Sequence, residues 1–193
     1  QLTPFMFEEC YQQAYDEGYT HLIYTAINAK GSSTYCNALQ ARESFYDENP
    51  KAREKFTITV IDAGTYTMAY GWAVVQGARM AADGQSPEKV EAFIRDWLAH
   101  ARILFVPLDL RFAKKSGRVS AAAAFMGDAL GLKPIMTFEN GESKVLSKVR
   151  GEKNVVPAML ALCQKTRKKG TPYFLIRSAN PEMAGKLRGA CVQ

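Results

Sequence analysis

The sequence predicts an α/β protein built from two α/β domains, and three observations carry that reading. Helical and strand patterns alternate along nearly the whole chain, as a mostly parallel, doubly wound sheet requires. The alternation changes character after about residue 100, where an Asn-Gly hairpin signal enters. The chain's 193 residues, 47% hydrophobic and 23% charged, suffice to bury one large core or two small ones. Residues 1–100 are expected to form the first domain. Residues 101–193 are expected to form the second, a mixed sheet with a β-hairpin and helices.

The elements follow from local pattern. Phe5 to Glu17 sets Phe7, Cys10, Tyr11 and Ala14 at three- and four-residue spacing, a helix closed by Gly18. Leu22 to Ile27 is a short apolar strand, and Ser32 to Phe45 returns to helix with Ala38, Leu39 and Ala41 among its apolar positions. Phe56 to Ile61 alternates β-branched and aromatic residues, which predicts a strand. Thr67 to Ala82 is a helix rich in small residues, suited to close packing. Ser86, Pro87 and Glu88 open another, with a cap, a first-turn proline and an early acid, that runs to about His100.

Beyond it, Ile103 to Pro107 reads as a strand and Ser120 to Leu130 as a helix. Lys133 to Phe138 and Lys144 to Val149 read as strands joined through Glu139-Asn140-Gly141-Glu142. Val155 to Lys168 is helical, Tyr173 to Ile176 a strand, and Pro181 to Arg188 a last helix.

Composition narrows the function classes. No apolar run approaches the length needed to cross a bilayer, so no transmembrane segment is expected. Gln1 leads directly into an amphipathic segment without a basic and then apolar leader, so the cytoplasm is the expected location. Cys10, Cys36, Cys163 and Cys191 are scattered without a CxxC pair, and only His21 and His100 accompany them; buried free thiols are expected, and no metal. The net charge is +6, with basic clusters at Arg111, Lys114, Lys115 and Arg118, at Lys148, Arg150 and Lys153, and at Lys165 to Lys169. Such a surface suits nucleic acid, phosphate or an acidic protein, and equally a plain solvated face.

The most informative stretch is Ile27-Asn28-Ala29-Lys30-Gly31-Ser32-Ser33-Thr34. A strand ends, a Gly-containing loop follows, and hydroxyl residues open a helix. That arrangement turns backbone N–H groups and hydroxyls toward an anionic head group, beyond the carboxyl end of a strand where doubly wound sheets bind ligands. An ordinary serine N-cap would look the same in sequence. The loop lacks the GK[ST] ending of a P-loop and is not a GxSxG elbow.

Further stretches join this loop in a consistent order: Gln1-Leu2-Thr3-Pro4, Val60-Ile61-Asp62, Lys114-Lys115-Ser116-Gly117-Arg118-Val119-Ser120, Gly131-Leu132-Lys133-Pro134-Ile135 and Lys148-Val149-Arg150-Gly151. Each is weak alone; together and collinear, they resemble the DegV family across essentially the whole chain. The resemblance implies two α/β domains that hold a long-chain fatty acid in an apolar tunnel. It also implies service as the acyl-carrying subunit of a bacterial fatty acid kinase, whose separate catalytic subunit performs the phosphorylation. No cofactor, no nucleic acid and no catalysis by this chain itself are then expected.

In the family, a serine matching Ser32 and the threonine of a Thr-Ser-Gln motif hold the carboxylate; Gln1 matches the last residue of that motif. The sequence is therefore expected to be a piece of a longer protein, lacking the family's opening strand and its closing glycine-rich, histidine-bearing stretch. Ser32, Ser33 and Thr34 are the candidates to surround the head group, and Arg118, in the basic turn expected to overhang the domain junction, is either a phosphate or carboxylate contact or a plain solvated turn residue. Phe125, Met126, Ala129, Leu130, Leu132 and Ile135 are the candidates to line the tail, although such an apolar stripe is more often plain core. Arg150 is the partner-docking candidate. Three departures stand out: Ser32-Ser33-Thr34 replaces Ser-Gly-Thr, Ala63 replaces a serine after Ile-Asp, and Ala121 replaces a glycine. The first alters the head-group loop and the others bear on packing.

The chemistry is coherent. A carboxylate removed from water costs several kcal/mol unless hydrogen-bonded, and hydroxyls with loop amides supply those bonds without an ion pair. A tail of about sixteen carbons at ~0.8 kcal/mol per CH₂ supplies about 12 kcal/mol before ordering costs. The competing readings are an enzyme acting on a phosphorylated or nucleotide small molecule, through the same loop and basic turn, and a nucleic-acid-binding regulator suggested by charge alone.

Overall fold

Parallel pairing of two short strands organises the first half of the chain. In the computed structural model, which describes residues 2–120, 131–178 and 180–192, β1 (His21–Ala26) runs parallel to β2 (Thr57–Asp62), with His21 opposite Thr57 and Ala26 opposite Asp62. The chain divides into two compact units, Gln1–Ala101 and Arg102–Gln193.

In the first unit, α1 (Pro4–Asp16) starts where Thr3 Oγ1 accepts from Met6 N at 3.4 Å and Pro4 takes the first turn. It stops at Gly18, whose φ of 83° permits Tyr19 N to reach Ala14 O at 3.1 Å and Gly18 N to reach Tyr15 O at 3.0 Å. Its buried face, Phe7 and Tyr11, meets Ala38, Ala41 and Phe45 of α2 (Thr34–Glu48) and Ile58 and Val60 of β2. Phe45 sits edge-on to Phe56 at 5.8 Å and to Tyr15 at 5.9 Å, so this side of the sheet is an aromatic core. Side chains alternate across a strand, and Ile23 and Ile61 point the other way. There they pack with α3 (Met68–Ala82) and α4 (Pro87–His100). The small residues of α3 are explained at Gly77: a Cβ there would lie 3.0 Å from Ile94 Cδ1 and 3.2 Å from Val90 Cγ1.

The second unit is built on an antiparallel hairpin of β3 (Leu132–Glu139) and β4 (Glu142–Arg150). Asn140 and Gly141 take φ values of 50° and 77°, the two positive angles of a type I′ turn, so the Asn-Gly signal sets the register. A short α5 (Leu110–Ser116) is capped by Asp109 and ended by Gly117 at φ 67°. Two later helices, α6 (Val155–Thr166) and α7 (Pro181–Val192), pack together.

Two expected strands are not observed. Ile103 to Pro107 contributes a single bridge, in which Phe105 N and Met136 N each donate to the other's carbonyl. Tyr173 to Ile176 is irregular, with Tyr173 57% and Ile176 57% exposed, because no neighbouring strand among the described residues offers a ladder. The thiols are free but not buried as expected: Cys10 and Cys36 are exposed, since both lie on outward faces of their helices, and Cys163 and Cys191 are half-buried. The expected helix from Ser120 to Leu130 lies, apart from Ser120, outside the described residues. Among the described residues no helix is long and apolar enough to cross a membrane.

Candidate functional site

Because β1 and β2 are parallel neighbours, the loops that leave their carboxyl ends emerge side by side. Residues 27–33 follow β1 and residues 63–67 follow β2. Four contacts join these loops and the strand ends that carry them: Asn28 N to Thr65 O at 3.1 Å, Ala63 N to Ala26 O at 2.9 Å, Ala29 N to Asp62 Oδ1 at 3.0 Å, and Asn28 Nδ2 to Tyr66 Oη at 2.6 Å. Asp62 Oδ1 also accepts from Gly64 N at 2.9 Å, so one carboxylate oxygen ties both loops. Tyrosines aside, the buried polar residues described in the first unit are Thr25, Asn28, Thr34 and Thr65, all at or beside these strand ends. Polar groups are seldom buried without purpose, and their concentration at one end of the sheet marks the site.

The hydroxyls expected to face a head group are gathered here. Helix α2 begins at Thr34, two residues later than the sequence pattern suggests, with Ser33 as its N-cap residue. Ser33 is exposed and its side chain makes no capping bond. Ser32 Oγ lies 2.5 Å from Thr34 Oγ1 and accepts from Thr34 N at 3.3 Å. Two hydroxyls thus stand together at the positive end of a helix dipole, beside first-turn N–H groups that have no partner within the helix.

Two further features mark strain and incomplete satisfaction. Thr25 Oγ1, on the penultimate residue of β1, is buried without a hydrogen-bond partner among the described residues. Thr67 takes φ 56° and ψ −143°, an unusual conformation for a β-branched residue that costs on the order of 1–3 kcal/mol and clusters at functional loops. By contrast, an open groove of about 750 Å³ along α1 is lined by Glu8, Glu9, Asp16, Glu17 and Glu48, carboxylates that repel an anion.

Comparison with known proteins decides the family. The family model described as uncharacterised protein, DegV family, matches residues 1–191. The chain belongs to the DegV family. A DegV domain-containing protein of Clostridium acetobutylicum is 33% identical over 139 residues, covering 72% of this chain and 47% of its own length. A solved structure described as fatty acid binding of a DegV family protein from Thermus thermophilus is 28% identical. It matches with TM-score 0.73, over 86% of this chain and 55% of that one. A fatty acid binding DegV family protein of Streptococcus agalactiae shares the fold at TM-score 0.82 and 22% identity, over 100% of this chain and 66% of that one. The chain spans about half the length of the curated DegV relatives it matches.

The remaining DegV-implied positions lie in the second unit. Arg118 is exposed just beyond α5, and its guanidinium donates to Ser116 O at 2.8 Å. Ile135 is fully buried in β3 and Leu132 half-buried at its start. Arg150 is exposed at the end of β4, opposite Leu132. Phe125, Met126, Ala129 and Leu130 lie outside the described residues. The sequence patterns do not point to Thr65 or Tyr66, and they include Asn28 and Asp62 only within longer stretches, without a role. The signal was available in the parallel strands themselves, which oblige the loop after β2 to stand beside the loop after β1.

Proposed function

We propose that this DegV protein binds a long-chain fatty acid and presents its carboxylate to a separate kinase for acyl phosphorylation. The carrying observation is the Ser32–Thr34 hydroxyl pair, 2.5 Å apart at the N-terminus of α2. Two hydroxyls and nearby helix N–H groups match the acceptor oxygens of a carboxylate. The names of the Thermus and Streptococcus relatives add support, since both are described as binding fatty acids. In this reading Ser32 and Thr34 hold the head group with Ser33 beside them. Phe125, Leu130, Leu132 and Ile135 take the tail, and Arg150 belongs to the kinase-docking face. The protein works in the cytoplasm, needs no cofactor and does no chemistry alone. Mass spectrometry of organic extracts of the purified protein tests this directly. A long-chain fatty acid at one per chain is expected; no lipid, together with no uptake of labelled palmitate, would overturn it.

A further inference from the structure

We propose that Tyr66 is a positioning residue for the head-group loop: clamped by Asn28 and seated on Gly31, it fixes where the Ser32–Thr34 hydroxyl pair stands and so sets selectivity for an acid over a neutral head group. This rests on the fatty acid reading of the same loop.

The loop turns about Asn28, which is 1% exposed. Gly31 N donates to Asn28 O at 3.0 Å and Lys30 N to Asn28 Oδ1 at 3.3 Å, so Asn28 shapes the turn through both its backbone and its side chain. The remaining amide group of Asn28 donates to Tyr66 Oη at 2.6 Å. The Tyr66 hydroxyl is therefore the fixed point against which that side chain is oriented. Gly31 supplies the second half of the clamp. Its φ is not among the positive ones, so glycine is not required there by backbone conformation. What requires it is space: a Cβ on residue 31 would run into the Tyr66 hydroxyl, with the ring carbons Cζ and Cε1 at 3.2 and 3.3 Å. The tyrosine thus occupies the volume that a side chain at position 31 would need. Any displacement of Gly31 is passed through one peptide to Ser32. Thr67, with its φ of 56°, immediately follows the tyrosine in the chain.

The test uses the full natural chain and two ligands of equal tail, palmitic acid and 1-hexadecanol, with affinity and thermal midpoint read for each variant. Tyr66→Phe keeps the ring and removes the hydroxyl; Gly31→Ala keeps the hydroxyl and forces the ring away. Each is expected to weaken palmitic acid about three- to tenfold and leave 1-hexadecanol nearly unchanged, a loss of selectivity that a merely structural role would not produce. In a Tyr66→Ala background, Gly31→Ala should add no further loss, because the obstructing ring is gone. Equal weakening of both ligands, unchanged affinity for both, or additive losses in the double variant would each overturn the proposal. Wild-type protein that binds acid and alcohol equally would instead overturn the head-group reading, and this inference with it.

Discussion

Replacing Ser32 by alanine separates a ligand-binding hydroxyl from a helix-capping one, and the structure sets the size of each effect. Ser32 Oγ lies in hydrogen-bond reach of Thr34 Oγ1 at 2.5 Å, and the second contact, accepted from Thr34 N, spans 3.3 Å. The second is long and serves a first-turn N–H, so its loss costs at most about 1 kcal/mol of stability. A bond to a charged carboxylate contributes about 1.5–3 kcal/mol, which is about ten- to a hundredfold in affinity. Ser32→Ala is therefore expected to lower the thermal midpoint slightly and the affinity for palmitic acid greatly. Ser33→Ala is the control: its exposed side chain makes no capping bond, so both quantities should hold within about 0.5 kcal/mol. Thr34 is buried, and Thr34→Ala would confound hydroxyl loss with a cavity. Thr34→Val removes the hydroxyl at constant shape and Thr34→Ser restores it, so affinity should fall in the first and return in the second. The assay is fluorescence competition for palmitic acid beside a thermal melt for each variant. A lowered midpoint with unchanged affinity in Ser32→Ala would refute the reasoning, as would a large affinity loss in Ser33→Ala.

Three other outcomes are expected. The purified chain alone should not turn over ATP, with or without palmitic acid, in a coupled phosphate-release assay; sustained turnover by contaminant-free protein would favour an enzyme acting on a nucleotide. Tyr46→Phe should cost about 1–3 kcal/mol in urea unfolding, because Tyr46 Oη donates to Phe56 O at 2.8 Å and accepts from Ile58 N at 3.0 Å, and the buried Ile58 N–H would lose its partner. Burial pushes the Tyr11 phenol well above its ordinary 10.0, with the neighbouring Tyr24 adding to the effect. The unfolded chain then releases this proton first, so stability holds below about pH 10 and falls above it; Tyr11→Phe should flatten that alkaline decline in pH-dependent melts.

The legible parts of the fold are those whose cause is local. Phe7, Tyr11 and Ala14 recur at helical spacing and α1 forms there; Asn140-Gly141 demands two positive φ angles and the hairpin turns there. Ile103 to Pro107 and Tyr173 to Ile176 do not become strands, because an apolar run says only that a segment suits a sheet. Whether it becomes a strand depends on a neighbour, and Phe105 finds one for a single residue pair. The site divides in the same way. Ser32 and Thr34 were visible because a strand, a glycine loop and a helix start lie consecutively in sequence. The pairing of Asn28 with Tyr66 was not, because it spans 38 positions and exists only once β1 and β2 pair.

That long-range construction bears on how an acyl carrier should work. A tail of about sixteen carbons supplies about 12 kcal/mol before ordering costs, far more than a few hydrogen bonds to a head group. The head-group loop is therefore not needed for retention, and a buried ion pair there would add desolvation cost and a charge left stranded at release. What a carrier needs from its head-group loop is a defined oxygen position from which a second protein can complete the reaction. Hydroxyls answer that need, since they accept and donate and leave no uncompensated charge when the ligand departs. In the proposed reading the positional demand falls on Asn28, Asp62 and Tyr66, whose hydrogen bonds shape the loop, while Ser32 and Thr34 stay small and neutral. Changes to those supporting residues should therefore misplace the carboxylate and weaken palmitic acid about three- to tenfold, while the tail still keeps most of the affinity.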